Sequence, residues 1–216
     1  MKTLESFDTP IDCDFLIIGA GLSGLYSALY ASEFGKVCIL TKSSIDESNS
    51  YWAQGGIAAA IDTNDSVDSH FEDTIAVGSG LNKEDSSKIM VREGFDRVNE
   101  LVKMGMEFDS DSSGFELGIE GGHSKRRILH ALGNETGRAV VEFLSKKIEK
   151  NKNIKILENT SVIELFSDKR ECFGCLVQGD KVKKKIAITA KSTILATGGA
   201  CGIYYNSTNP SATSGD

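Results

Sequence analysis

The stretch "CDFLIIGAGLSGLYSALYASEFGKVCILTK", residues 13–42, constrains the fold more than any other. Phe15, Leu16, Ile17 and Ile18 form an unbroken apolar run, as expected of a parallel strand covered on both faces. Leu22, Leu25, Tyr26 and Leu29 then recur at helical spacing, and Gly35 is expected to end that helix. Val37 to Leu40 supply a second apolar strand. A strand, a glycine turn, a helix and a strand within about 30 residues make a βαβ unit, the setting that lifts a G-x-G-x-x-G match above coincidence.

Gly19, Gly21 and Gly24 in "GAGLSG" carry the spacing of a dinucleotide site. The first permits a tight turn, the second admits a pyrophosphate against the backbone, and the third lets helix and strand pack closely. The helix N-terminus then offers free N–H groups and partial positive charge to the phosphates. The nucleotide is not fixed by this motif. An acidic residue is expected at the end of the second strand to hold a ribose hydroxyl, but Thr41 and Lys42 stand there, with Asp46 and Glu47 several residues later. Lys42 alone leaves NADP open.

Two further glycine segments bear on the choice. "SNSYWAQGGIAAA", residues 48–60, places Gly55 and Gly56 where side chains are missing for packing, so something must approach the backbone closely. "STILATGGACG" runs an apolar strand into Gly198 and Gly199. A long ligand needing backbone approach at several points suits a flavin dinucleotide better than a nicotinamide one.

The rest of the chain alternates in type. Residues 66–80 and 84–105 are predicted helical, with Phe71 and Ile75 on the first and Ile89, Val91, Phe95, Val98, Leu101 and Val102 on the second as apolar faces. "NETGRAVVEFLSKKIEKN" continues as helix, its lysines at the end the helix dipole favours. From residue 154 the pattern is of strands: "IKIL", "SVIELFS", "CFGCLVQ", "KKIAITA" and "STILATGG". No repeat or low-complexity linker marks a domain boundary.

Composition narrows the class. A net charge of −7 argues against a nucleic-acid partner, which wants a basic face. Five cysteines in 216 residues do not form a disulfide framework and fit a reducing, cytoplasmic setting. Cys172 and Cys175 form C-x-x-C inside a strand pattern, where residues three apart point to opposite faces and cannot share a metal. The uncharged residues 15–31 fall short of the ~20 a membrane span needs and are broken by glycines, so no membrane partner is expected.

Taken together, "IIGAGLSG", "YWAQGGIAAA", "EGGHSKRRILHA" and "ILATGG…TNPSATSGD" resemble, in order, the L-aspartate oxidase family of the fumarate reductase and succinate dehydrogenase flavoprotein superfamily. The resemblance covers essentially the whole chain. It implies an α/β fold: a Rossmann-like FAD-binding domain over residues 1–216 with a parallel central sheet, additional β-strands and a helical insertion. It also implies C-terminal truncation, since the family continues with a capping domain, the rest of the FAD domain and a C-terminal helical domain.

The resemblance assigns residues too. Gly19, Ala20, Gly21, Leu22, Ser23 and Gly24 would hold the FAD pyrophosphate, with Lys42 following the second strand. Asn49, Ser50, Tyr51, Trp52, Ala53, Gln54, Gly55 and Gly56 would line the flavin, with Thr197, Gly198, Gly199 and Asp216 at later FAD segments. Asn49 replaces the histidine that membrane-bound relatives link covalently to flavin, so FAD should be non-covalent. Glu120 matches a carboxylate thought to read the aspartate ammonium, a buried pairing that succinate cannot make. His123 and His130 are given packing or hydrogen-bond roles; Arg126 and Arg127 could attract dicarboxylates, though a solvated face is the commoner fate of such a pair. Asn134 stands where the family usually has Asp, and Asn also caps helices. The implied reaction is oxidation of L-aspartate to iminoaspartate for NAD synthesis, with oxygen or fumarate as electron acceptor. The arginine implied to exchange the substrate proton is not among these residues, so no catalytic residue is assigned. A soluble fumarate reductase and a non-catalytic FAD-binding fragment remain the alternatives.

Overall fold

The computed structural model of the protein describes residues 9–179 and 184–215. The chain divides into two compact units, residues 1–53 with 140–216 and residues 54–139. In chain order the elements are β1 (Ile11–Ile18), α1 (Leu22–Ala31), β2 (Val37–Leu40), β3 (Ile57–Ala58), α2 (Val67–Val77) and α3 (Glu84–Lys103). They continue with β4 (Ser110–Asp111), β5 (Gly114–Phe115), β6 (Leu117–Gly118), β7 (Ile128–Leu129), α4 (Thr136–Glu149), β8 (Ile154–Leu157), β9 (Thr160–Ser167), β10 (Cys172–Gly179) and β11 (Lys185–Leu195).

The first unit is built on one six-stranded sheet of order β8-β2-β1-β11-β10-β9. β8, β2, β1 and β11 run parallel, and β2 pairs with β1 from Phe15 opposite Val37 to Ile18 opposite Leu40. The apolar runs of β1 and β2 thus lie in one parallel sheet, as the sequence predicts. Every residue of β2 is buried, as two-faced coverage demands. One core cluster gathers Leu16, Cys38, Leu157, Cys175, Val177 and Ile188. β10 and β9 are antiparallel additions. The short links between β9, β10 and β11 leave no room for a crossover helix, so these strands can only turn back on each other.

Two local expectations change here. "KKIAITA" and "STILATGG" form the single strand β11, not two. Lys191, between them, does not break the strand because its side chain reaches solvent and meets Asp14 on β1 at 2.8 Å. Gly35 does not end α1, which stops at Ala31 with Ser32 as its cap. Gly35 instead lets the backbone pass the Asp14 carboxylate, where a Cβ would collide.

The second unit packs α2 against α3 and carries a three-stranded sheet β3-β7-β6 and the β4-β5 hairpin. Ser66 caps α2 by accepting the Ser69 N–H. On α3 Val91, Val98 and Leu101 are buried, whereas Ile89 faces out at 60% exposure. Ile89 sits two positions from Val91, about 200° around the helix. α2 buries His70 and leaves Phe71 and Ile75 half-buried. Asn134 lies two residues before the start of α4 and bridges to Ala131, and the Thr136 hydroxyl takes the Ala131 N–H.

Candidate functional site

In the first unit the parallel strands end side by side, and the glycine turn begins there. Gly19 N–H donates to the Leu40 carbonyl and Ala196 N–H donates to the Ile18 carbonyl, both at 2.8 Å. Gly19 has φ +112°, and a Cβ on it would run into the Ala196 backbone. A Cβ on Gly24 would run into the Gly19 carbonyl. These two glycines are therefore required by the turn and by strand–helix contact, while a Cβ on Gly21 would meet only the Ser50 side chain, with its Oγ at 3.1 Å. Gly21 is the N-cap of α1, with no side-chain cap and no acidic residue in the first turn. The Leu22 N–H is taken by Ser50 Oγ at 2.9 Å. Those of Ser23 and Gly24 have no intrahelical acceptor at such positions, and the helix dipole is uncompensated. This is a cradle for a bridging anion.

Above the turn lies a cavity of about 840 Å³. Gly19, Ala20, Gly21, Leu22, Ser23, Lys42, Asn49, Ser50, Thr197 and Gly198 line it. Gly24 lies beneath the turn instead, and Tyr51, Trp52, Ala53 and Gly199 are outside the lining. Tyr51 directs its hydroxyl to Glu142 at 3.3 Å, and Trp52 is 63% exposed. Asp216 lies outside the described residues. Lys42 Nζ donates to Ser214 Oγ at 2.6 Å, and Thr213 Oγ1 donates to Asn49 Oδ1 at 2.7 Å. The segment carrying Thr213 and Ser214 is thereby tied to two of the expected cofactor residues.

Sequence reasoning missed part of the lining. Ser161, Val162 and Glu164 of β9 reach the cavity because β8 pairs with β2 and Thr160 N–H donates to the Thr41 carbonyl at 2.9 Å. No local motif announces that register. Glu47 also lines the cavity, brought back by a short 3₁₀ turn at Ile45–Glu47. A carboxylate is thus supplied to the cavity although β2 ends without one.

The remaining expected residues belong to the second unit. Gln54 is exposed, Gly55 has φ +73°, and a Cβ on Gly56 would meet the Leu129 carbonyl where β3 pairs with β7. The glycine at position 56 is needed by the protein's own sheet. The Glu120 carboxylate lies beside Gly55, 3.5 Å from where a Cβ on that glycine would stand. Glu120 is exposed in this chain rather than buried. Arg126 is exposed, but Arg127 has no solvent-accessible surface and its guanidinium meets Asp65 and Asp73. The solvated face expected for it is replaced by an internal ionic cluster. Burial beside Arg127 and His123 pushes the His70 pKa below its ordinary value, and its Nδ1 has no hydrogen-bond partner among the described residues. In the C-x-x-C pair, Cys175 is fully buried and pushed up to about 12 by that burial, which makes it an inert core thiol.

Comparison with known proteins agrees with this geometry. Residues 14–216 match the FAD binding domain family, and the chain belongs to that family. It is 39% identical to L-aspartate oxidase 1 of Ralstonia nicotianae over 94% of its length and 40% of that protein's. It is 41% identical to L-aspartate oxidase of Clostridium acetobutylicum, over 92% of the chain and 45% of that protein. The FrdA chain of E. coli quinol fumarate reductase superposes with a TM-score of 0.89 at 25% identity, over 95% of this chain and 36% of that one. The chain therefore spans about two-fifths of the length of the first of these relatives. The cofactor is FAD, and the helix N-terminus at Gly21, without a side-chain cap, fits a dinucleotide pyrophosphate with its glycine cradle. No helix among the described residues is long and apolar enough to cross a membrane.

Proposed function

We propose that the chain supplies the FAD-binding part of an oxidoreductase that converts L-aspartate to iminoaspartate, for use in NAD synthesis. The observation that carries this reading is the Glu120 carboxylate lying beside Gly55, within segments shared in order with the L-aspartate oxidases. When bound, FAD accepts the hydride that leaves the substrate carbon. The chain's own residues do the rest of the binding. Ser23 offers its backbone N–H to the pyrophosphate, Gly21 keeps a side chain out of its way, and Lys42 adds a cation at the cavity wall. Asn49 contributes an amide that cannot form a covalent bond to the ring, so the cofactor is held by non-covalent contacts alone. The backbone at Gly55 and Gly56 serves the flavin end, and Glu120 pairs with the substrate ammonium, which sets L-aspartate apart from succinate. Oxygen or fumarate is the final electron acceptor.

The residues present account for cofactor binding and ammonium recognition but not for proton abstraction or for orienting two carboxylates. General acid–base help is worth roughly 10²–10⁴-fold, and positioning can exceed it. The test loads the 216-residue chain with FAD and compares it with a chain extended by the remaining regions of the L-aspartate oxidases. Peroxide from L-aspartate is expected from the extended chain alone. Acid denaturation is expected to release all the flavin. Oxidation of succinate in place of L-aspartate by the extended chain would refute the substrate, and flavin retained by the precipitate would refute non-covalent binding.

A further inference from the structure

The buried ionic cluster of the second unit surrounds the loop that carries Glu120. Residues 118–127 leave β6 and return at Arg127, whose N–H donates to the Gly118 carbonyl at 3.1 Å. The Arg127 carbonyl in turn accepts the Ala59 N–H at 2.9 Å. The Arg127 guanidinium is bidentate on Asp65, through Nε at 2.7 Å and Nη2 at 2.9 Å, and Nη1 donates to Asp73 Oδ2 at 2.7 Å. Nη2 also reaches Ser69 Oγ at 3.2 Å, and Nη1 lies 3.4 Å from His123 Nδ1. The same Asp73 oxygen accepts both the N–H and the hydroxyl of Ser124, at 2.8 Å each. Asp73 therefore grips the loop at its middle while Arg127 grips it at its base. Between Ser124 and Glu120, the His123 N–H donates to the Glu120 carbonyl at 3.2 Å.

Such a cluster is poorly explained by stability. Desolvating an arginine and a carboxylate costs about what their attraction returns, and apolar residues of like volume often do as well. A bidentate guanidinium does deliver fixed geometry, which an apolar side chain or a lysine does not. The geometry fixed here is that of one loop.

We infer that Arg127 is a positioning residue, whose two carboxylate partners hold the 118–127 loop so that the Glu120 carboxylate stays beside Gly55. Its consequence for substrate choice rests on the reading of Glu120 given above.

The experiment uses the FAD-loaded chain as parent, Arg127→Lys, Asp73→Asn and Glu120→Gln. Hydrogen exchange is measured over residues 118–127, and calorimetric titrations are run with L-aspartate and with succinate. In Arg127→Lys and Asp73→Asn, exchange in the loop is expected to rise at least tenfold while β1 and β2 are unchanged. The parent's preference for L-aspartate, about tenfold for one charge-assisted hydrogen bond, should fall to that of Glu120→Gln. General loosening of the fold weakens both ligands alike and leaves this ratio intact, so the ratio separates positioning from mere support. Asp73→Asn keeps the Asp65 pair and carries the test if Arg127→Lys does not fold. Unchanged exchange in the loop overturns the inference. So does a ratio kept in Arg127→Lys and Asp73→Asn but lost in Glu120→Gln. A loosened loop with no preference in the parent, or none lost in Glu120→Gln, overturns the substrate reading instead and leaves Arg127's hold on the loop standing.

Discussion

In the unit built on the six-stranded sheet, the glycine turn offers a ligand mostly backbone. Gly19 and Gly24 let strand ends, turn and helix touch without intervening side chains, and α1 presents bare N–H groups. In the unit of residues 54–139, order around the loop comes from side-chain charge, with Arg127 at 0% exposure between Asp65 and Asp73. A backbone cradle tolerates no added atom but carries no net charge. An ionic cluster tolerates shape changes at its rim but not the loss of one member. The two should therefore fail in different ways when a single residue is altered.

The largest effect is expected at Arg127→Met. Removing the cation leaves Asp65, whose side chain is 1% exposed, buried without its partner, a loss of about 3–5 kcal/mol. Adding Asp65→Leu to Arg127→Met should restore most of it, because the carboxylate that remains, Asp73, is partly exposed and keeps the Ser124 N–H and hydroxyl. Urea unfolding of the two variants measures both. A cost below about 1 kcal/mol for the single variant would mean the cluster behaves as a surface pair, and the contrast between the units would collapse.

Next in size is Gly24→Ala, expected to cost about 1–3 kcal/mol or more, since the obstacle is the Gly19 carbonyl and not a movable side chain. Gly21→Ala meets only Ser50 Oγ at 3.1 Å, so its fold should survive while FAD affinity drops. Thermal unfolding without cofactor, followed by flavin titration, separates these outcomes. Equal loss of stability at the two positions would contradict the division of labour between turn and ligand.

The same contrast explains what could be read from the sequence. The glycine turn was legible because its parts lie within six residues and each glycine answers a local steric need. The parallel pairing of β1 and β2 followed from continuous apolar runs. The ionic cluster was not legible, because Arg127 is 62 residues from Asp65 and 54 from Asp73. An arginine beside a second arginine in a glycine-rich segment carries no mark of burial. The β9 wall of the cavity escaped for a related reason: its place follows from β8 pairing with β2, a register that no short motif encodes. The end of the chain errs in the opposite direction: "KKIAITA" and "STILATGG" read as two strands but form one, with Lys191 on its solvent side.

A smaller effect is expected from pH. Burial, with Arg127 and His123 beside it, lowers the His70 pKa from 6.5 in the folded chain. The unfolded chain then binds more protons than the folded one as pH falls, so the stability present above about 6.5 is lost below it. Asp73, lowered from 3.8 chiefly by the Ser124 N–H, adds a second loss of the same sign in stronger acid. Urea midpoints measured from neutral pH down to pH ~5 should fall, and His70→Gln should flatten that slope. A midpoint that rises toward acid would show His70 gaining a proton on folding, against its unpartnered Nδ1.

The smallest effect is expected from the ion pair of the first unit, Lys191 with Asp14. The distance, 2.8 Å, is as short as those around Arg127, yet Lys191 is 81% exposed. Water solvates the ammonium whether or not the pair forms, salt screens the attraction, and holding the long side chain costs entropy. Lys191→Ala should leave the urea midpoint unchanged within error, in low salt and in high. Asp14 is a different matter, since its Oδ2 also accepts the Lys36 N–H at 2.7 Å in the turn that Gly35 passes through. That bond, together with Lys191 as the larger cause, holds its carboxyl below the usual range. Asp14→Ala strips the turn of its acceptor and should lower the midpoint where Lys191→Ala does not. If instead the two substitutions cost the same and their cost vanishes in high salt, the surface pair itself stabilises the strand edge, and distance would rank these charges better than burial does.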